Sequence, residues 1–382
     1  MKILILSCNT GEGHNAAARA IQEFAQRAGH EAEILDYLNF FNEKINRLTC
    51  GTYVGVVKHI PSAFGAFYQF GTLVSHLIPE KGRSILYYGS SYAAKKLWDY
   101  IVESKVDAVV CTHMLAAEAV AWLKNHGYPT PFSVVVATDY TCYPFLREAS
   151  CDYYVIPHQD VEQQCIKNGI PKEKLLPYGI PVSNRFRALP DQATAKRLLR
   201  IPENRTVYLI MGGSMGAGRL KTFTKKLLPE IGNGIMIVIC GKNETLKNSL
   251  EKQFEGKENA RIVGFTRDIP IYMAACDCLY TKPGGLTSTE TLVSQAPVVH
   301  TKPIPGCESD NFRFFAQRGL SVPAKHIRDQ IELGIALAED PDQRKRMREN
   351  QSECAKPDAA QAILDLIGRN VDQRGQPEMA VR

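Results

Sequence analysis

Between Cys276 and Asn311 the chain reads CDCLYTKPGGLTSTETLVSQAPVVHTKPIPGCESDN, and its glycines and acids are spaced to hold an anion. An apolar run at Cys278-Leu279-Tyr280 leads into Lys282-Pro283-Gly284-Gly285, and a helical pattern begins at Leu286-Thr287-Ser288-Thr289-Glu290. Glycines at a strand-to-helix turn let backbone N–H groups approach an anion that the helix dipole also favours. A second strand, Ala296 to Thr301, is followed by a proline loop carrying Glu308 and Asn311, which brings carboxylate and amide groups to the same place. A nucleoside diphosphate joined to a sugar would suit that set. Lys282 is either a phosphate partner or a solvated surface cation, and Glu290 either accepts from ribose hydroxyls or stabilises the first helical turn. Solvent alone is the competing reason for Glu308.

A second group lies near the start. Gly11-Glu12-Gly13-His14 falls where the first strand hands over to the first helix, on the edge of an open α/β sheet where ligands bind. Histidine titrates near neutrality and can take a proton from an attacking alcohol; a local helix-capping role is the alternative. Asp139, after the apolar run ending Ala137-Thr138, falls on the same kind of edge, where it either orients His14 or serves as an ordinary turn residue. The stretch Gly212 to Gly218 has glycine spacing reminiscent of a phosphate loop, but Arg219-Leu220 stand where an ATP-hydrolysing loop needs Lys-Ser/Thr. Backbone phosphate contact at Gly213 and Ser214, or a plain tight turn, remain.

The elements needed to position these residues alternate. Strands are expected at 2–7, 31–36, 106–111, 132–138 and 153–156, then again at 206–211, 235–240, 261–263, 278–280 and 296–301. Those at 106–111, 132–138 and 153–156 are continuous apolar runs, as parallel strands covered on both faces require. The first helix is marked by Ala17, Ala20, Ile21, Phe24 and Ala25. The fold class is therefore α/β, with two Rossmann-like domains facing a central cleft. One domain is expected at 1–180, a linker at 181–205 and a second domain at 206–350. A C-terminal helix at 351–370 returns to the first domain, and 371–382 form a disordered tail.

With 382 residues, 45% hydrophobic and 23% charged, the chain suits two globular domains. A net charge of +6 permits attraction to anionic surfaces but lacks the basic density of a nucleic-acid binder. The eleven cysteines include no CxxC pair and are expected to be reduced. Met1-Lys2 runs straight into the first strand, and no apolar stretch reaches the ~18 residues of a membrane span, so a cytoplasmic location is expected. Residues 40–100 interrupt the sheet pattern with aromatics and cations, among them Phe64, Phe67, Tyr68, Phe70, Lys58, Lys81 and Arg83. These either dip into a bilayer interface or form a core helix pair.

The segments LSCNTGEGHNAAARAI, VVATDYTCYPF, YYVIPHQDV, GIPV, CGKNETLK, GFTRDIPIYMAACDCLYTKPGGLTSTE and KPIPGCESDN together resemble the monogalactosyldiacylglycerol synthase and processive diacylglycerol β-glucosyltransferase family. These are GT-B glycosyltransferases of family 28, related to the enzyme that adds N-acetylglucosamine to lipid I. The resemblance runs from residue 1 to about 365 and implies inverting, metal-independent and cofactor-free transfer of a hexose from UDP-glucose or UDP-galactose to diacylglycerol. The enzyme would attach peripherally to the cytoplasmic face of the membrane, through residues 53–96 and anionic lipid. It implies that Phe265 and Thr266 lie against uracil, that Glu290 holds ribose and that Glu308 touches the donor sugar. The backbone at Gly213, Ser214 and 284–288 would stabilise the departing diphosphate. His14 would be the general base. Close relatives carry Gln before that Glu, where Cys307 stands here; a thiol cannot replace an amide's paired donor and acceptor, which leaves glucose versus galactose open. Another lipid-linked acceptor, a UDP-sugar-binding regulator and a UDP-sugar 2-epimerase are the alternatives.

Overall fold

The computed structural model describes residues 1–9, 11–41, 83–212 and 220–374. The chain divides into two compact units: Met1–Asn184 with Pro305–Cys307 and Lys356–Arg382, and Arg185–Ile304 with Glu308–Ala355.

The first unit is built on six parallel strands: β1 (Lys2–Ser7), β2 (Glu31–Asp36), β3 (Ala108–Cys111), β4 (Phe132–Val136), β5 (Tyr153–Val155) and β6 (Leu175–Leu176). Their spatial order is β2-β1-β3-β4-β5-β6. Strand order reverses between β1 and β3, so the carboxyl ends of those strands form the crevice where open α/β sheets bind ligands. Ile3, Ile5, Val110, Val134 and Val155 supply a buried face, and the helix Glu12–Arg27 lays Ala18, Ile21, Phe24 and Ala25 onto it. The last helix, Ala359–Arg374, adds Ile363, Leu364, Leu366 and Ile367 to the same core. Burying each such side chain stabilises by about 1.5–3 kcal/mol.

Two buried carboxyl groups fasten the helix Ile85–Ser91. Glu148 accepts from Ser84 N at 3.0 and 3.2 Å and from Ser84 Oγ at 2.7 Å, and Glu118 accepts from Ser90 Oγ at 3.0 Å. Burial raises the Glu118 carboxyl to about 8; Glu148 adds to the shift and the Ser90 bond opposes it.

The second unit has strands β7 (Val207–Met211), β8 (Ile235–Ile239), β9 (Ala260–Val263), β10 (Cys278–Thr281), β11 (Val298–His300) and β12 (Val322–Pro323), all parallel in the order β12-β11-β10-β7-β8-β9. This is the Rossmann order, with its switch point between β7 and β10. Asp277, just before β10, ties three pieces of this unit together. It accepts from Val207 N at 2.8 Å and from Gln192 Nε2 at 2.9 Å, and pairs with the buried Lys196 at 3.2 Å.

Each expected strand is present within one or two residues, while the two-residue edge strands β6 and β12 were not expected. The helix expected at 351–370 is broken: one helix ends at Cys354 and the next begins at Ala359, with Pro357 between them. That last helix continues through Arg374, four residues into the stretch expected to be a tail. The proline loop expected to carry Glu308 and Asn311 is instead the opening of a helix, Cys307–Gln317. Lys58, Phe64, Phe67, Tyr68, Phe70 and Lys81 lie outside the described residues, as do Gly213 and Ser214.

Candidate functional site

His14 is the third residue of the helix that follows β1; Thr112 follows β3, the strand beside β1, and Thr138 follows β4, one strand further on. Nδ1 of His14 lies 2.8 Å from the Thr112 carbonyl oxygen and 3.0 Å from Thr138 Oγ. A carbonyl can only accept, so Nδ1 carries the hydrogen and Nε2 of the neutral ring keeps its lone pair. Burial lowers the pKa of His14 from its ordinary 6.5, against smaller raising effects from the Asp139 charge and the Thr112 bond. A neutral base at physiological pH results.

Three more residues complete this cluster. Thr138 Oγ is 2.9 Å from the Tyr143 hydroxyl, which also accepts from Thr138 N at 3.1 Å and donates to Asp139 Oδ2 at 2.8 Å. Asp139 therefore approaches His14 through two hydroxyl groups. The His113 ring sits edge-on to His14 with centroids 4.7 Å apart. It accepts from Leu115 N at 3.2 Å through Nδ1, and burial, with the His14 charge second, holds it well below the usual histidine range. Gly11 caps the helix without a side-chain bond, in extended backbone that any residue adopts, and Gly13 lies in its first turn. The amides there remain open to an anion.

In the second unit the helix Gly285–Ser294 starts directly after β10, at the switch point. Gly284, its cap, makes no side-chain bond, and a Cβ built there would meet nothing within 4 Å. Elsewhere Ser84, Asp191, Asn243 and Asp340 cap their helices with side chains. Here the amides of Gly285, Leu286 and Thr287 stay uncapped at the positive end of a helix dipole. Ser288 is fully buried, its hydroxyl lies 3.2 Å from Nε2 of His300 and its amide donates to the Gly284 carbonyl at 2.9 Å, so neither group is left open to an anion. Burial drops His300 to about 3, which keeps that ring neutral.

Lys282 is half-buried, and burial lowers its pKa against the raising effect of Glu308. Glu308 reaches back to accept from Ile304 N at 2.6 Å and lies in a first helical turn, where an acid is stabilised by the dipole without any ligand. Asn311 is fully buried and donates to the Pro283 carbonyl at 2.9 Å, so it holds the Lys282–Gly285 loop in place from behind. Glu290 lies in the second turn of its helix, not the first, which removes the dipole explanation for it. Burial raises its carboxyl to about 8. Phe265 is 61% exposed, with Lys242 Nζ 5.9 Å from its ring centre, and Thr266 Oγ accepts from Asp268 N at 3.0 Å. An exposed aromatic with one free face is suited to stacking on a base.

Residues 14–182 match the family model for monogalactosyldiacylglycerol (MGDG) synthase, and residues 202–353 match that for glycosyl transferases group 1. A processive diacylglycerol β-glucosyltransferase from Bacillus cytotoxicus is 27% identical, with 96% of this chain and 93% of that protein aligned. The chain is homologous to the diacylglycerol glycosyltransferases. A probable chloroplastic monogalactosyldiacylglycerol synthase 3 from Oryza sativa subsp. japonica is 28% identical over 96% of this chain and 73% of its own. The fold of this glycosyltransferase homologue also matches the crystal structure of MurG from Acinetobacter baumannii, with a TM-score of 0.62, 17% identity and coverage of 96% and 99%. Both Rossmann-like units thus belong to a GT-B architecture.

In the homologue the structure brings His14 and Asp139 into one cluster, and gathers Lys282, Gly284, Glu308 and Asn311 around one loop. His113 and Tyr143 were missed by sequence reasoning. A signal existed for Tyr143, which follows a strand whose carboxyl end already carried Asp139; His113 follows β3, whose end had offered no candidate.

Proposed function

We propose that the protein transfers a hexose from UDP-glucose or UDP-galactose to diacylglycerol, forming a β-glycosyl diacylglycerol with inversion. The observation that carries this reading is the fixed tautomer of His14, which leaves a neutral base at a sheet edge with its lone pair available. In this reading the first unit deprotonates the acceptor and the second holds the donor. The acceptor hydroxyl oxygen bonds to the anomeric carbon as the bond from that carbon to the diphosphate oxygen breaks, and the hydroxyl proton passes to His14 Nε2. The leaving UDP keeps the electron pair. Its charge is met by the uncapped amides after Gly284 and by Lys282, preorganised dipoles that need no reorientation during reaction. Phe265 and Thr266 hold uracil, Glu290 the ribose, and Glu308 the sugar.

Among the described residues no helix is long and apolar enough to cross a membrane. Tyr88 and Tyr92 are 64% and 65% exposed beside the exposed Lys95 and Lys96, a pairing of aromatic bodies and cations suited to a bilayer interface. This supports peripheral attachment to anionic lipid on the cytoplasmic face, by the segment 53–96.

Purified protein is incubated with diacylglycerol in anionic vesicles and, separately, each UDP-hexose or UDP-N-acetylglucosamine, and the lipid fraction is read by mass spectrometry. A hexose adduct on diacylglycerol is expected with wild type and is absent with His14→Ala, which still binds UDP. UDP binding without glycolipid from any donor would overturn the reading, as would full turnover by His14→Ala.

A further inference from the structure

Asp139 and His14 share no direct hydrogen bond in the described geometry, yet every donor and acceptor between them is matched in one direction. The His14 Nδ1 hydrogen, shared with the Thr112 carbonyl, points at Thr138 Oγ 3.0 Å away. Thr138 Oγ in turn donates to the Tyr143 hydroxyl at 2.9 Å, and that hydroxyl donates to Asp139 Oδ2 at 2.8 Å. The Thr138 amide, donating to the same tyrosine oxygen at 3.1 Å, fills its remaining acceptor position. The Nδ1 hydrogen is divided between the Thr112 carbonyl and Thr138 Oγ; each later hydrogen in the chain has a single acceptor.

We propose that Tyr143 is a positioning residue that, with Thr138, transmits the charge of Asp139 to His14 through this hydrogen-bond chain. The inference rests on His14 being the base of the proposed transfer. When Nε2 takes the acceptor proton, the ring becomes positive, and each bond in the chain is polarised toward the carboxylate. Tyr143 is suited to this relay because burial first, then the Asp139 and Cys307 charges, push its hydroxyl well above the usual range, so it never surrenders its proton. Among the described residues, the groups facing His14 besides the chain are the Thr112 carbonyl and the neutral His113; neither supplies a negative charge. Asp139 is the charge that favours the imidazolium, and cutting its relay lowers the His14 pKa further.

The test is the pH dependence of kcat/KM for glycosyl transfer to diacylglycerol, with a parallel NMR titration of His14 in the full-length protein, for Tyr143→Phe, Asp139→Asn, their double variant, Thr138→Val and Thr138→Ser. Tyr143→Phe is expected to lower kcat by roughly 10- to 100-fold, the scale of loss seen when hydrogen-bond partners of metal-bound histidines are removed. Donor KM is expected to stay within about twofold, as for a group that acts only in the transition state. Because activity requires unprotonated His14, the acid limb and the NMR midpoint both move to lower pH. The double variant is no worse than Asp139→Asn alone, because the two act on one chain. Thr138→Val repeats the effect, and Thr138→Ser, which keeps the hydroxyl, restores it. A rate loss with an unmoved limb and midpoint, or multiplicative losses in the double variant, would assign Tyr143 a merely structural role and overturn the proposal. Undiminished turnover by His14→Ala would sink the base assignment instead, while the NMR midpoint of Tyr143→Phe still reports on the relay.

Discussion

Burial alone raises the Glu290 carboxyl to about 8, with no cation to counter it. Ribose hydroxyls that donate to this carboxyl favour its ionised form, so nucleotide binding should release a proton. UDP affinity is therefore expected to rise with pH up to about 8 and level off above it. Calorimetry in buffers of different ionisation enthalpy measures the release directly, and Glu290→Gln should abolish both the release and the pH dependence. An affinity flat from pH 6 to 9 in wild type would remove Glu290 from the ribose. At this scale the sequence revealed the individual groups but not their relations. His14 stood out because glycines frame it at a strand end, whereas Tyr143 acquires meaning only from Thr138 and from a histidine 124 positions before that threonine. Asn311 is legible only in part for the opposite reason: nothing in its neighbours shows that it is buried against Pro283.

Helix starts and helix contacts carry two further predictions. Gly284 has φ −69° and room for a side chain, so Gly284→Asp should fold normally and cap its own helix. The added carboxylate would then occupy the diphosphate position. Thermal stability is expected to be equal or slightly higher while UDP binding weakens by at least about tenfold, since two negative charges a few ångströms apart repel by roughly 1–4 kcal/mol. Unchanged UDP affinity would move the anion site elsewhere. Gly334 faces Tyr280, and a Cβ there would overlap the tyrosine ring. Gly334→Ala should destabilise the second unit by about 1–3 kcal/mol despite the better helix former, read as a lower denaturation midpoint. The long elements were legible because parallel strands buried on both faces must be continuously apolar. The two-residue strands β6 and β12 are too short to carry a pattern, and the prolines before Cys307 masked a helix start as a loop.

Across the whole molecule, a net charge of +6 permits attraction to anionic vesicles, and any such attachment should weaken with salt, because surface charges are screened over about 10 Å at 0.1 M. Sedimentation with phosphatidylglycerol vesicles should fall steeply between low and moderate salt, and binding indifferent to salt and lipid charge would exclude the electrostatic contribution. Removal of the helix Ala359–Arg374 should leave Ile3, Ile5 and Ile21 without their cover. A chain ending at Ala355 is expected to lose hydrogen-exchange protection throughout the first sheet while the second unit keeps its own. The same helix sets a timetable for biosynthesis. At roughly 5–20 residues per second, tens of seconds separate the emergence of β1 from that of the segment that seals its core. Until that helix is made the first sheet waits with its apolar face open. A nonsense codon just before the helix would thus damage strands made long before it.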